Sequence, residues 1–517
     1  MNKNLLALAI SLTVSGAALA AGDFGMQTQN LLKNQSHKFF GIVQPLTASE
    51  TVSVPRAPDQ DASHLIKLAK GLHAEIVTRK AAQNSDMMAF WPNDIKPTHI
   101  VTCIEDFRNP VDNVIGAYPS GQVKYGPSVQ RVNLATGQVD TILRGLSSCD
   151  GIRRTPWNTI VVTEERDDGG IYEILNPRTT TELTVVTRGA SNVIDSLGAP
   201  VLGAVEYRGA LGKLAWEGLD LSEQGVVYYG DEERPGSGGA DVDGGSLFKF
   251  VPTTLWNGTP VTSLDQSPLV AGNIYAYQAS CQARTSSSFP QFGQGCEIGE
   301  GAWVKVDPAN LRTSAFANSA TGFYRPEDGH FDPMYSGPGV RFCWTNTGNS
   351  GAKNYGEVNC LIDTNPAGTG EKTVNDPAVN ANGLTYLADS AEIKGFAVAA
   401  ANRAVEGDSD LNQPDNLAFQ PRTGNMYVIE DQTFGDVWAC LPDGQDRNIK
   451  TDGCVKVLSV RDSSAEPTGF AFTGNGKTAY VHIQHSNDTA CTAGSDCESN
   501  DGYPTDDLIK ITGFDVK

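Results

Sequence analysis

Acidic residues recur beside short apolar segments along the 517-residue sequence. One stretch opens with Cys149 and Asp150, turns at a Pro-Trp-Asn tripeptide (156–158), and returns along an alternating run to Glu164 and Glu165. This pattern predicts a β-hairpin that carries acidic side chains at both ends. Thiolates and carboxylates bind metal ions, so the stretch is a candidate source of metal ligands.

Five further stretches repeat the same pattern. Each opens with an acidic residue, continues as a short apolar strand, turns at Pro, Gly or Asn, and returns as a second strand that ends in acidic or polar residues. Repetition of small antiparallel units predicts an all-β fold, a six-bladed β-propeller with long insertions and an irregular N-terminal arm. The six units span residues 86–105, 150–164, 217–231, 327–345, 415–430 and 466–485.

A propeller would bring these acidic residues together, because the innermost strand of every blade begins at the same face of the central channel. So many carboxylates in a low-dielectric channel cannot all stay ionised unless cations neutralise them. The alternative is that they are ordinary acidic residues in turns. The units open with Asp86, Asp150, Glu217, Glu327, Asp415 and Glu466, and their second strands add Glu105, Glu164, Asp231 and Glu430.

The residue types in this set indicate which metal ions they could bind. Carboxylate oxygens in number suit calcium, and a carboxylate cluster with one thiolate suits iron better than magnesium. The sequence has only seven histidines, which argues against a His-rich zinc site. It shows no Gly-x-Ser-x-Gly elbow, Walker loop or dinucleotide fingerprint. Any catalysis is therefore expected to depend on metal ions.

Arg325 stands two residues before Glu327, so on a strand the two side chains would share a face. A guanidinium held beside metal-bound carboxylates could clamp a phosphate group through two parallel hydrogen bonds. The alternative is a structural ion pair that only offsets the acidic residues.

The N terminus has the pattern of a secretory signal. Lys3 is followed by the apolar residues 5–14 and by a small-residue cleavage site at 18–20. A periplasmic or secreted protein is therefore expected. The predicted boundaries are a signal peptide at 1–20, an N-terminal arm at 21–71 and a propeller domain at 72–517.

The charge and hydropathy of the chain limit its partners. A formal net charge of −21 argues against binding to nucleic acid or to an anionic membrane. No run of 18 apolar residues follows the signal, so no membrane span is expected after cleavage. The sequence does not indicate an oligomeric state.

Ten cysteines in an exported chain indicate disulfide bonds. Two of them, Cys103 and Cys149, have no close partner in sequence. They either form a bridge with each other or leave Cys149 free as a metal ligand. The four pairs suggested by proximity are Cys281 with Cys296, Cys343 with Cys360, Cys440 with Cys454, and Cys491 with Cys497.

Several short motifs occur in order along most of the chain. They are Cys149-Asp-Gly, Thr155-Pro-Trp, Thr163-Glu-Glu, Trp216-Glu, Leu247-Phe-Lys-Phe-Val-Pro, Arg325-Pro-Glu-Asp, Pro414-Asp-Asn-Leu-Ala-Phe, Glu466-Pro-Thr-Gly-Phe and Gln484-His. Together they resemble the PhoX-type alkaline phosphatases, a family of exported six-bladed propellers. The resemblance implies hydrolysis of phosphate monoesters with iron and calcium ions at one end of the channel.

Carried over to this chain, the resemblance implies that Arg325 holds the phosphate of a small phosphorylated substrate. It also implies a set of metal ligands, to which the repeat pattern adds Asp415 and Glu430. The ligands implied by the family motifs are Cys149, Glu164, Glu217 and Glu327.

Two other functions fit the same residues. A bridge from Cys103 to Cys149 would occupy the expected iron ligand and leave a non-catalytic propeller that binds calcium and a partner. A calcium-dependent lactonase or esterase is the third reading, since that chemistry also lies at the mouth of propellers.

Overall fold

A computed structural model describes most of the chain, and it is almost entirely β. The described residues are 24–111, 118–236, 244–279, 299–318, 320–349, 354–368, 371–373, 385–387, 391–398, 411–442, 453–489, 491–492, 494–498 and 502–516. The predicted signal peptide at 1–20 lies outside them. No helix in these residues is long and apolar enough to cross a membrane.

The described strands pair into four sheets, the largest of which spans three blades. Within them, four-stranded antiparallel units form six blades, which we number 1 to 6 and describe from the inside outward. Blade 1 contains Ser85–Trp91, His99–Ile104, Pro127–Asn133 and Val139–Arg144. Blade 2 contains Cys149–Arg154, Ile160–Gly169, Ile171–Ile174 and Val205–Tyr207. Blade 3 contains Leu214–Leu221, Val227–Asp231, Leu247–Pro252 and Gly272–Ala279.

The remaining blades repeat this arrangement. Blade 4 contains Pro326–Phe331, Val340–Asn346, Glu357–Asp363 and Ala391–Val398. Blade 5 contains Pro414–Phe419, Met426–Glu430, Asp436–Cys440 and Cys454–Val460. Blade 6 contains Glu466–Phe472, Thr478–Gln484, Thr505–Thr512 and His73–Ala82.

Short elements extend the blades at their outer edges. Blade 1 is extended by Leu183–Val185, Val193–Ile194 and Pro200–Val201, and blade 5 is extended by Ile66–Leu68. The strand Gly299–Val306 pairs with the outer strands of blades 3 and 4. It also pairs with Thr385–Leu387, which in turn pairs with Glu371–Thr373. The helices are Phe24–Asn34, Ser36–Phe40, Ala62–Leu65 and Leu311–Ala317, with 3-10 turns at Gly209–Leu211, Leu264–Gln266 and Pro268–Val270.

The innermost strands form a closed ring. Each one contacts the innermost strands of the two neighbouring blades, and the strand of blade 6 returns to that of blade 1. Each begins at or within three residues of an acidic residue that opens a repeat. The predicted six-bladed propeller is therefore confirmed, and the six units correspond to the two innermost strands of the six blades.

Both ends of the chain build blade 6, which closes the ring. The strand Thr505–Thr512 pairs with Thr478–Gln484 on one side and with the N-terminal strand His73–Ala82 on the other. The preceding arm runs along blade 5, where Leu46 N donates a hydrogen bond to Lys456 O. Closure of this kind leaves no unpaired inner strand that could separate from the ring.

Large side chains fill the spaces between adjacent blades. Between blades 5 and 6 the rings of Tyr427 and Phe470 stack with centroids 5.5 Å apart, and between blades 3 and 4 Tyr228 stacks on Phe342 at 5.5 Å. Burial of these apolar faces holds neighbouring blades in fixed positions. The channel side chains are thus presented from a rigid frame.

Four disulfides lie in the described residues. Three of the pairs predicted from proximity are confirmed: Cys343–Cys360, Cys440–Cys454 and Cys491–Cys497. The predicted pair Cys281 with Cys296 lies outside the described residues. The fourth bridge, Cys103–Cys149, joins the second strand of blade 1 to the innermost strand of blade 2.

Candidate metal centre

In five of the six blades, an acidic residue lies at a β-bulge near the start of the innermost strand. The pairing of the two innermost strands shifts register across each of these acids, and bulges of this kind redirect side chains beside functional sites. In blade 6 the register shift lies later in the innermost strand, and Glu466 is the first residue of that strand. The five residues at the bulges are Asp86, Asp150, Glu217, Glu327 and Asp415.

The bulges bring carboxylates from different blades together at the channel. Asp86, Glu105 and Asp150 each offer one oxygen, and these oxygens lie within 4.8 Å of one another. Asp150, Glu165 and Glu217 form a second such set. Asp150 of blade 2 belongs to both sets and so joins blades 1, 2 and 3.

The remaining acidic residues continue the ring. The charges of Glu327 and Asp415 act on Glu217, and those of Asp86 and Glu466 act on Asp415. The structure therefore brings together all six acidic residues that open the repeats. We call the following set the channel carboxylates: Asp86, Glu105, Asp150, Glu165, Glu217, Glu327, Asp415, Asp431 and Glu466.

Burial and mutual repulsion raise the pKa of several of these groups, among them Asp150 and Glu217. Burial, followed by the charge of Glu105, raises the pKa of Asp86 well above its usual range. Burial raises the pKa of Glu327 to about 8, although the neighbouring Arg325 guanidinium opposes the shift. Without cations, some of the channel carboxylates must therefore hold protons near neutral pH.

Several pairs lie close enough to share a proton. Glu165 hydrogen-bonds Glu105, and Glu466 hydrogen-bonds Asp431. Gln484 Nε2 lies 2.7 Å from Glu466 Oε1 and within hydrogen-bond distance of the carboxylates of Asp86 and Glu105. This amide spans blades 6 and 1 and holds the three carboxylates side by side.

The donor set fits hard cations. Asp86 Oδ1 and Asp150 Oδ1 are buried and accept no hydrogen bond from the described part of the chain. Buried oxygens without partners are rare in folded proteins and commonly mark the place of an ion or water. A convergent set of carboxylate oxygens is the ligand type that calcium prefers.

The structure holds two of the predicted ligands in other contacts. Both oxygens of Glu164 face Arg188, with Nε 2.7 Å from Oε1 and Nη2 3.2 Å from Oε2, and Oε1 also accepts a bond from Ser147 N at 2.9 Å. Glu430 accepts bonds from Trp438 Nε1 at 3.0 Å and from Asn412 N at 2.7 Å. Their oxygens are thus occupied within the blades.

At both places the next residue belongs to the channel carboxylates, and the role of Glu164 and Glu430 as metal ligands stays a prediction. Successive side chains of a strand point to opposite faces, so the residue after each predicted acid is the one that faces the channel. Those residues are Glu165, after Glu164, and Asp431, after Glu430. The sequence pattern identified the pair Glu164-Glu165, but it did not show which of the two side chains faces the channel.

Cys149 is bonded to Cys103, which corrects the prediction of a thiolate ligand. A sulfur in a disulfide has no ionisable thiol and so cannot supply the soft ligand that favoured iron. The residue still lies next to the centre, since Asp150 follows it directly. The two sets of three carboxylates therefore offer oxygen donors alone.

Arg325 lies beside the channel carboxylates, as its spacing suggested. Its Nη2 is 3.0 Å from Glu327 Oε1 and its Nε is 2.6 Å from Glu232 Oε1. The residue precedes the strand of blade 4 with φ of 58°, a left-handed conformation that turns the side chain back over the strand. Its side chain is 13% exposed and is otherwise buried beside these carboxylates.

Comparisons with known proteins bear on this site. No curated protein sequence matches the chain significantly. Among solved structures, the chain is similar to Pseudomonas fluorescens PhoX in complex with vanadate, a transition state analogue, with 16% identity, a TM-score of 0.53, and coverage of 90% of this chain and 98% of that chain. This likeness supports the fold.

A second solved structure is more distant. The PQQ-bound aldose sugar dehydrogenase from Streptomyces coelicolor is 11% identical, with a TM-score of 0.38 and coverage of 85% of this chain and 98% of that chain. A family model described as alkaline phosphatase PhoX matches residues 122–487, which contain most of the channel carboxylates and Arg325. Because this match extends over more than half of the chain, the protein belongs to the PhoX alkaline phosphatase family.

Proposed function

We propose that the protein is an exported, calcium-dependent phosphatase that hydrolyses phosphate monoesters at the channel carboxylates. The observation that carries the proposal is the two sets of carboxylate oxygens, each within 4.8 Å, which share Asp150 and lie in the same ring as the ion pair of Arg325 and Glu327. Membership of the PhoX family supports phosphatase activity. The substrate would be a small phosphorylated molecule.

Two cations would fit the sets found in the structure. Asp86, Glu105 and Asp150 would hold one, and Asp150, Glu165 and Glu217 would hold the other. Bound cations would supply positive charge that stabilises a phosphoryl group during its transfer. The all-oxygen donor set favours calcium, and iron stays a prediction from the family resemblance.

Arg325 would bind the phosphate group. Its carboxylate partners, Glu232 and Glu327, hold the guanidinium beside the channel carboxylates, and the side chain as a whole is 13% exposed. A planar guanidinium can donate two parallel hydrogen bonds to a phosphate. In a chain with a net charge of −21, it also supplies local positive charge that an anionic substrate needs.

Export is the part of the proposal that rests on the sequence and on the disulfides. The signal-like residues 1–20 and four disulfide bridges fit an oxidising compartment, the periplasm or the outside of the cell.

One observation favours a second candidate, a calcium-binding propeller without phosphatase activity. The bridge between Cys103 and Cys149 removes the thiolate that the family resemblance implied as an iron ligand. If iron is essential to the chemistry, a calcium-loaded channel would bind ions and a partner without turnover.

Metal analysis followed by an activity assay separates the two candidates. The purified protein is expected to contain calcium and to hydrolyse p-nitrophenyl phosphate, with activity lost in chelator and restored by added calcium. Calcium without hydrolysis would support the binding propeller, and a protein with neither would overturn both.

Replacing Glu165 with Gln is expected to weaken calcium binding by at least the roughly 10- to 100-fold that is typical for groups supporting a metal site. The physical reason is the loss of an oxygen charge from a set that also contains Asp150 and Glu217. Isothermal titration of calcium into the metal-free variant measures the change.

The adjacent Glu164→Gln is the matched control. It removes the same charge from a side chain that pairs with Arg188, so it should lower thermal stability and leave calcium affinity close to that of the wild type. Equal loss of calcium affinity in both variants would show that the channel set is wrongly assigned.

Arg325→Ala is expected to reduce kcat/KM for p-nitrophenyl phosphate by roughly 10- to 100-fold, the order expected when a hydrogen bond to a charged group is lost. The effect should fall mainly on KM and on inhibition by inorganic phosphate, because the guanidinium would bind the phosphate itself. Arg188→Ala removes an arginine paired with Glu164 and Asp168, and its phosphate inhibition should stay unchanged. Unaltered phosphate inhibition in Arg325→Ala would contradict the assignment.

The metal-free protein is expected to lose stability as pH rises. Burial raises the pKa of Glu327 from 4.5 to about 8, so between these values the folded state binds more protons than the unfolded state. Stability therefore falls with rising pH across that window. Calcium replaces the protons and should remove the slope. Melting temperatures at pH 5 to 8, with chelator and with calcium, test this; a metal-free protein that becomes more stable with rising pH would refute it.

A further inference from the structure

Arg153 connects two blades that are not neighbours in the ring. It lies on the innermost strand of blade 2, three residues after Asp150, and its Nη2 is 2.7 Å from Asp328 Oδ1 on blade 4. The same nitrogen lies 3.0 Å from Gly329 O. Blade 3 stands between blades 2 and 4, so the side chain has to pass its innermost strand.

A glycine of blade 3 provides the space for this contact. A Cβ on Gly218 would lie 2.3 Å from both Cα and Oδ1 of Asp328, which is closer than real Cβ contacts. The absence of a side chain at this position lets blade 4 approach closely and lets Arg153 reach it.

Asp328 connects several blades through hydrogen bonds in this part of the channel. Its Oδ1 accepts a bond from Gly329 N at 2.7 Å, and its Oδ2 accepts one from Leu417 N of blade 5 at 3.1 Å. His330 Nε2 lies 3.4 Å from Oδ2 and 2.7 Å from Arg153 Nη2. One buried carboxylate thus ties blades 2, 4 and 5 together.

The buried part of the channel extends from the channel carboxylates, where Glu327 is 1% and Asp150 is 3% exposed, down to this pair. At the mouth, Glu165 and Asp431 are partly exposed. Asp328 is 2% exposed and Arg153 is 8% exposed. Beyond them the side chain of His330 is again 28% exposed. The pair therefore lies in the buried layer between the two ends of the channel.

We propose that Arg153, anchored on Asp328, closes the channel below the channel carboxylates, so that ions and substrate reach them only from the mouth that carries Glu165 and Asp431. This inference rests on the proposed function, since it concerns the ions that the carboxylates would hold. Arg153 acts as a positioning residue, because it touches neither ion nor substrate. It blocks one end of the channel, so that the metal centre is accessible from the other end.

Release of calcium to a chelator tests the closure. Protein loaded with calcium is mixed rapidly with a fluorescent chelator, and the release rate is recorded for wild type, Arg153→Ala and Arg154→Ala. Arg154 is the matched control, because it is adjacent and pairs with Asp94 at the far rim, away from Asp328. Arg153→Ala is expected to release calcium about tenfold faster or more, on the scale of supporting-group effects, and Arg154→Ala at the wild-type rate.

The direction of the change separates closure from simple electrostatics. Loss of the Arg153 charge without opening would make the channel more negative and slow the release of calcium. An unchanged or slower rate in Arg153→Ala would thus overturn the proposal. If Arg153→Ala does not fold, the double variant Arg153→Gln with Asp328→Asn leaves no unpaired buried charge and should still release calcium faster.

A second measurement does not depend on metal. Hydrogen exchange of the metal-free protein follows the amides of Gly329 and Leu417, which donate to Asp328. Both should exchange faster in Arg153→Ala and stay protected in Arg154→Ala. If the wild type binds no calcium, the proposed function fails, while equal protection in the two variants would reject the role of Arg153 by itself.

Discussion

The repulsion among buried carboxylates is the constraint on which the rest of the structure depends. Asp86, Asp150 and Asp415 lose hydration on burial, and each faces several charges of the same sign. In a medium of low dielectric constant, such a ring is stable only when protons or cations neutralise it. The fold must supply the energy that holds these groups together, and the channel must be open to what neutralises them.

The propeller meets this constraint by dividing its acidic residues into two sets. Two of the acidic residues that point into the blades are paired with arginines: Glu164 with Arg188, and Asp231 with Arg312. Those that point into the channel have few cationic neighbours, of which Arg325 is the one placed at the mouth. The separation concentrates negative charge where ions can bind and removes it where only packing is needed.

Much of this could be predicted from the sequence, because radial repetition is visible as a repeated pattern. The six opening acids come together as expected, since each begins an innermost strand. Which acid of a returning strand faces the channel, as at Glu164 and Glu165, could not be predicted, because the phase of a strand depends on a bulge that the sequence does not show.

Two other features depended on contacts between blades. The bridge of Cys103 to Cys149 joins neighbouring blades, and sequence separation says little about which strands become neighbours in space. Arg153 was visible in the sequence as a basic residue after Asp150, but its partner Asp328 lies two blades away. Such contacts follow from the closed ring and not from any local pattern.

The most direct test is a crystal structure of the protein grown with calcium, with anomalous scattering recorded to identify the ions. We expect anomalous peaks between Asp86, Glu105 and Asp150 and between Asp150, Glu165 and Glu217, with the carboxylate oxygens as ligands. A channel that holds only water at saturating calcium, with its carboxyl groups paired through shared protons, would contradict the account.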